Sequence, residues 1–174
     1  MNFSITKSIE ILEQTPDTLF SMVGHVSKDW TSNNEGGETW CVFDVIGHLI
    51  HGDKVDWLVR TELILSKKED KTFVPFDRFA QFENSMGKDL AQLLAEFKAV
   101  RLENIGKLRK LNISVDDFNK TGIHPAFGEV TLSQLLATWV VHDLDHISQI
   151  ARVMAKQYKD AVGPWIEYLK ILNH

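Results

Sequence analysis

The chain has 174 residues, 44% of them hydrophobic and 25% charged, with a formal net charge of −5. That length and balance fit one globular domain over 1–174 with a sizeable core, and the interspersed charges exclude the basic surface that a nucleic-acid backbone or an anionic membrane demands. A lone cysteine, Cys41, excludes an internal disulfide framework, no apolar run approaches the ~20 residues of a membrane span, and MNFSITKSIEIL lacks the regions of a signal peptide, so a cytoplasmic location is expected.

Ile5, Ile9 and Leu12 open the chain at helical spacing, and Leu19, Phe20, Val23 and Val26 resume it after Pro16. Thr15, Pro16 and Asp17 have the form of an N-cap, a proline at the first helical position and an acid in the first turn, which predicts a helix kinked or restarted near residue 15. Lys28 to Thr39, rich in Asn and Gly, reads as a loop. A second helix is expected from about Trp40 to Ser66. It carries His48 on one face with Asp44, Val45, Gly52, Val55 and Val59, and places His51 about 60° to one side.

The stretch TFVPFDRFAQFENSM has four phenylalanines and no clean period, which predicts a packed irregular crossover that walls a pocket. A third helix from about Lys88 to Leu111 carries an apolar stripe containing Arg101 and Asn104. Because a buried arginine needs a partner, Arg101 is expected at the edge with its head in water. Gly122, Pro125 and Gly128 break any helix in the loop before Thr131, which forms a capping box with Gln134. The fourth helix, to Lys156, is the most regular, and VGPWIEYLKIL follows as a short amphipathic piece. With few strand signals, the expectation is an all-α four-helix bundle, whose metal and cofactor sites lie between facing helices.

The fourth helix contains His142 and His146, about 40° apart on one face and one turn from each other, with Leu135, Thr138, Trp139, Gln149 and Val153. Two inward imidazoles at this spacing can hold one ion, and His48 is the best third ligand. Three histidines without a fourth protein ligand describe an open, reactive site that suits Zn, Ni, Fe or Co. The plain alternative is that these are hydrogen-bonded core or boundary histidines, since HDLDH spacing occurs in ordinary helices and lacks the zincin glutamate. Asp145 and Gln149 flank the pair and are candidates for orienting a histidine or a water. Cys41 is read as a packing residue, His51 and His124 as surface, loop or pocket-lining residues, His25 as a charge at a helix C-terminus, and His174 as without signal. Binding should weaken as pH falls through the ordinary histidine range near ~6.5.

WCVFDVIGHL at Trp40 to Leu49, PAFGEVTL at Pro125 to Leu132 and WVVHDLDHISQI at Trp139 to Ile150, together with PFDRFA, EFKAVR and VGPW, resemble the DinB-like superfamily over nearly the whole chain. The resemblance implies His48, His142 and His146 as the metal triad and a bundle in up-up-down-down order with a long crossover between helices 2 and 3. It also implies a homodimer, an expectation shared by the five tryptophans of so small a chain. A divalent ion (Zn, Ni, Fe or Mn) is implied, with either a thiol S-transferase using a low-molecular-weight thiol such as bacillithiol or mycothiol, or a hydrolase, acting on a small molecule. A non-catalytic metal- or ligand-binding stress protein is the alternative. The chain departs from the pattern at Gly52, where an acidic residue is usual, and Asp53 is a partial substitute.

Overall fold

The computed structural model describes residues 2–173. Its helices are α1 (Ile5–Val23), α2 (Lys28–Ser32), α3 (Val42–Val55), α4 (Trp57–Leu65), α5 (Ala80–Ser85), α6 (Leu90–Lys110) and α7 (Leu132–Lys156). A hairpin of β1 (Thr121–His124) and β2 (Gly128–Thr131) precedes α7, and 3-10 turns at Gly163–Tyr168 and Lys170–Leu172 follow it. α1, α3 with α4, α6 and α7 make the four-helix bundle. None of the helices is long and apolar enough to cross a membrane.

Of the kink or restart expected near residue 15, the restart does not occur: α1 runs through Pro16. A proline inside a helix leaves the carbonyl four residues earlier without its N–H. Here that carbonyl, on Leu12, accepts a hydrogen bond of 3.0 Å from Arg101 Nη1. The second expected helix is instead two, interrupted at Asp56, whose φ and ψ are −116° and −79°. Gly52 lies one turn before the break, and a Cβ there would come within 3.1 Å of the Trp57 indole nitrogen. The space that Gly52 leaves is therefore filled by Trp57.

The order of helix directions corrects the expected up-up-down-down arrangement. Glu13 pairs with Arg109 and Asp17 with Lys98, so α1 and α6 are antiparallel. Cys41 shares a cavity wall with Leu90 while Asp53 meets Arg101 and Asn104, so α3 and α6 are parallel. His48 faces His142 and His146 while Trp57 stacks on Trp139, so α3 and α4 run against α7. The order is up-down-down-up. The physical cause is the crossover between α4 and α6, which carries the chain back along the bundle so that α6 starts level with α3.

That crossover is as irregular as the sequence predicts, save for α5. Phe73 is buried in it, and Thr72 bridges Ile123 so that the crossover and hairpin support each other. The hairpin itself was not expected. Its Gly122 sits where a Cβ would lie 2.4 Å from the Phe73 ring, so this glycine serves close packing. α7 starts with the predicted capping box, in which Thr131 Oγ1 accepts from the Gln134 N–H at 3.2 Å and Gln134 Oε1 from the Thr131 N–H at 2.9 Å. Two apolar clusters form the core, one around Leu19, Ile46, Phe97 and Ile150, the other around Leu12, Trp57, Leu108 and Trp139.

Candidate metal centre

The apolar stripe of α7 turns His142 and His146 toward α3, and the antiparallel course of α3 presents His48 to them. His48 Nε2 and His146 Nε2 each lie 3.1 Å from His142 Nε2. The three imidazoles each offer one ligand atom, all within 4.8 Å of one another. His48 and His146 are buried and His142 is half-buried.

Protonation follows from the surroundings. Burial, and after it the neighbouring His146, holds His48 and His142 down to about 3. Burial also lowers His146, against the opposing pull of Gln149 and nearby aspartates. All three imidazoles are therefore neutral at pH 7. His146 Nδ1 donates to Gln149 Oε1 at 2.7 Å, which leaves its Nε2 lone pair directed to the centre.

These residues fit a divalent ion. His142 Nε2 carries at most one proton and cannot satisfy two neighbouring ring nitrogens, whereas a cation among the three accounts for all of the lone pairs. In a tetrahedral Zn site with ligand bonds near 2.0–2.1 Å, nitrogens stand about 3.3 Å apart, close to the spacing found. Among the described residues the group holds three ligand atoms, so an ion held there would keep room for a further ligand, and His48 and His142 also line the adjoining cavity.

That cavity, of about 410 Å³, has His48 and His142 at its inner end and Trp57, Arg60, Phe76 and His124 among its walls. Phe76 comes from the crossover, which walls the pocket as expected, and packs on His48 and His51 with ring centroids 5.6 and 5.0 Å away. His124 lines the cavity too, its Nδ1 accepting from the Ala126 and Phe127 N–H groups at 3.1 and 3.3 Å. His51 is buried behind Phe76 with Asn84 at 3.4 Å and outside the ligand group. Asp145 is exposed, and Gln149 alone of that flanking pair bonds a histidine. His25 is exposed against Phe20, and His174 lies outside the described residues. Cys41 caps α3 beside a different cavity of about 560 Å³, and burial with the Asp44 carboxylate raises its thiol to about 11, so it is protonated at neutral pH.

Two expectations fail together. Arg101 is not at an edge but fully buried, and Asp53 does not stand in for the acidic residue missing at Gly52. Arg101 Nε and Nη2 donate to the two Asp53 carboxylate oxygens at 2.7 and 3.0 Å, while Nη1 and Nη2 donate to Asp143. The two carboxylates overcome the cost of burial and raise the guanidinium above its ordinary value. The signal was present in the sequence: one arginine and two aspartates lie on inward stripes of three helices, which makes them each other's partners. Asn104 adds a 2.6 Å bond to the Asp53 carbonyl.

The sequence matches the DinB superfamily over residues 11–150. Among solved structures it is similar to YfiT from Bacillus subtilis, described as a probable metal-dependent hydrolase with an unusual four-helix bundle topology. The TM-score is 0.74 at 23% identity, covering 93% of this chain and 91% of that one. No curated protein matches the chain.

Proposed function

Because the chain belongs to the DinB superfamily, we propose that it is a metal-dependent enzyme in which His48, His142 and His146 hold one divalent ion, and that it hydrolyses a small molecule in the adjoining cavity. The observation that carries this reading is the convergence of three neutral imidazole nitrogens from two helices, with two of the rings, His48 and His142, lining a cavity of about 410 Å³. A site of that size suits a small organic ligand. YfiT, described as a probable metal-dependent hydrolase, supports the same reading by its shared bundle. When bound, the ion supplies the Lewis acidity that makes a nucleophile available at neutral pH. Gln149 fixes the tautomer and ring orientation of His146. Trp57 and Phe76 cover His142 and His48 and keep bulk water from them. The transferase reading differs in its nucleophile, which must be an external low-molecular-weight thiol, because Cys41 lies by another cavity.

The test is metal analysis of protein purified without a nickel column, then assay of the stripped and reloaded protein against ester and amide panels with and without added thiol. About one equivalent of metal, with turnover lost on chelation and restored on reloading, supports the enzyme. Dependence on thiol selects the transferase, and full metal occupancy without turnover selects a binding protein.

A further inference from the structure

Apart from His48 and His142, the polar side chains of the cavity wall are Asp56, Arg60, Arg78 and His124. Arg60 is buried, its Nε paired with Asp56 Oδ1 at 2.7 Å and its Nη2 on the Val74 carbonyl at 3.3 Å. Burial pushes Asp56 up to about 6, so at neutral pH it is ionised, and the one carboxylate of the lining is spent on Arg60. Arg78 lines the same cavity. Its guanidinium lies over the Phe79 ring at 5.3 Å and has no ion-pair partner among the described residues. Asp77 beside it in sequence accepts the Phe79 N–H at 3.0 Å. His124, lowered by burial and by Arg60, is neutral, and with Nδ1 accepting two backbone N–H groups its proton sits on Nε2. Arg78 and His124 thus offer donors, Asp56 Oδ1 is taken by Arg60, and Trp57, Pro75, Phe76 and Pro125 add apolar surface to the same cavity.

We propose that the substrate of this site is an anionic small molecule, with a carboxylate held by Arg78 and His124 and an apolar body lying along Trp57 and Phe76 toward the metal centre. The inference rests on the metal-dependent reading for what happens at the far end of the cavity, but the anion subsite itself is built from residues that are not metal ligands. A guanidinium left without a counter-ion beside an apolar wall gains from a carboxylate what an amide cannot give, because the charge-assisted bond is roughly twice as strong.

The experiment is calorimetric titration of 4-phenylbutyrate and its uncharged isostere 4-phenylbutyramide into stripped and Zn-loaded protein, with metal content measured on the same samples. The acid should bind about 10-fold or more tighter than the amide in both forms. Arg78→Gln, at an exposed position that leaves the fold intact by circular dichroism, should remove most of that preference by weakening the acid far more than the amide. His124→Leu should reduce it in part. Equal affinity for acid and amide, or no binding of the acid at millimolar concentration, overturns the proposal. So does a preference that disappears with the metal and ignores Arg78→Gln, since the acid is then a metal ligand. Failure to take up metal, with the preference intact, overturns the metal reading and leaves the anion subsite standing.

Discussion

At the residue scale the site depends on three imidazoles, only one of which has its other nitrogen held by an acceptor among the described residues. Among the described residues His48 Nδ1 and His142 Nδ1 have no hydrogen-bond partner, whereas His146 Nδ1 has Gln149. Gln149→Ala should therefore weaken metal binding about 10- to 100-fold, and His146→Ala should abolish tight binding. His51→Ala should leave metal content nearly unchanged; competition titration with a chromophoric chelator reads all three. The sequence already indicated the three histidines, because i and i+4 spacing on one apolar stripe needs only helix geometry to interpret. It did not indicate their titration. Burial holds His48 and His142 at about 3, whereas in the unfolded chain they titrate near 6.5. As pH falls below about 6.5 the unfolded state takes up protons that the folded state refuses, so their contribution to stability is complete above that pH and is lost progressively toward about 3. Thermal melts of metal-free protein should show a declining midpoint across that window, attenuated in His48→Ala, and proton competition for metal should set in lower than the ordinary histidine range.

The elements divide by how their signals are carried. α7 and its capping box were legible because periodicity and cap lie within one local window. The break at Asp56 and the hairpin were not, because each depends on a partner distant in sequence: Trp57 over Gly52, and Phe73 under Gly122. Gly122 read as a helix breaker, yet what the position requires is the absence of a side chain. Gly122→Ala should cost about 1–3 kcal/mol through overpacking, measured as a lower denaturation midpoint, and hydrogen exchange should quicken in the crossover as well as the hairpin, since Thr72 bridges Ile123. An unchanged midpoint would mean that the hairpin packs on Phe73 more loosely than these distances say. Pro16 belongs here too. By itself it predicted a kinked or restarted helix; with Arg101 Nη1 on the Leu12 carbonyl, α1 continues through it without a restart.

Across the whole molecule, Arg101 joins everything: it lies on α6 and bonds α1 through Leu12, α3 through Asp53 and α7 through Asp143. It also lies between the two apolar clusters, 4.8 Å from the Phe97 ring and 5.2 Å from that of Trp139. Arg101→Met strands two buried carboxylates and should destabilise by about 3–5 kcal/mol, as breaking a buried ion pair does; urea denaturation checks this. Self-association is also expected, since Trp165, Tyr168, Phe127 and Met86 are each more than 65% exposed. Light scattering that finds only monomer at micromolar concentration counts against it. Fold class was readable from four apolar stripes, but helix direction was not, because stripes carry no sign.

The parallel pairing of α3 and α6 has a kinetic consequence. In a bundle of successive antiparallel hairpins each helix docks on the one just made, and assembly proceeds through short loop closures. Here α6 meets α3 only after the crossover has returned the length of the bundle, and the two halves of the histidine cluster stand 94 residues apart in the chain. The contacts that define the site are thus among its most non-local, so they are the last to be rewarded during folding, and the chain should cross a slower barrier than an up-down-up-down bundle of equal length.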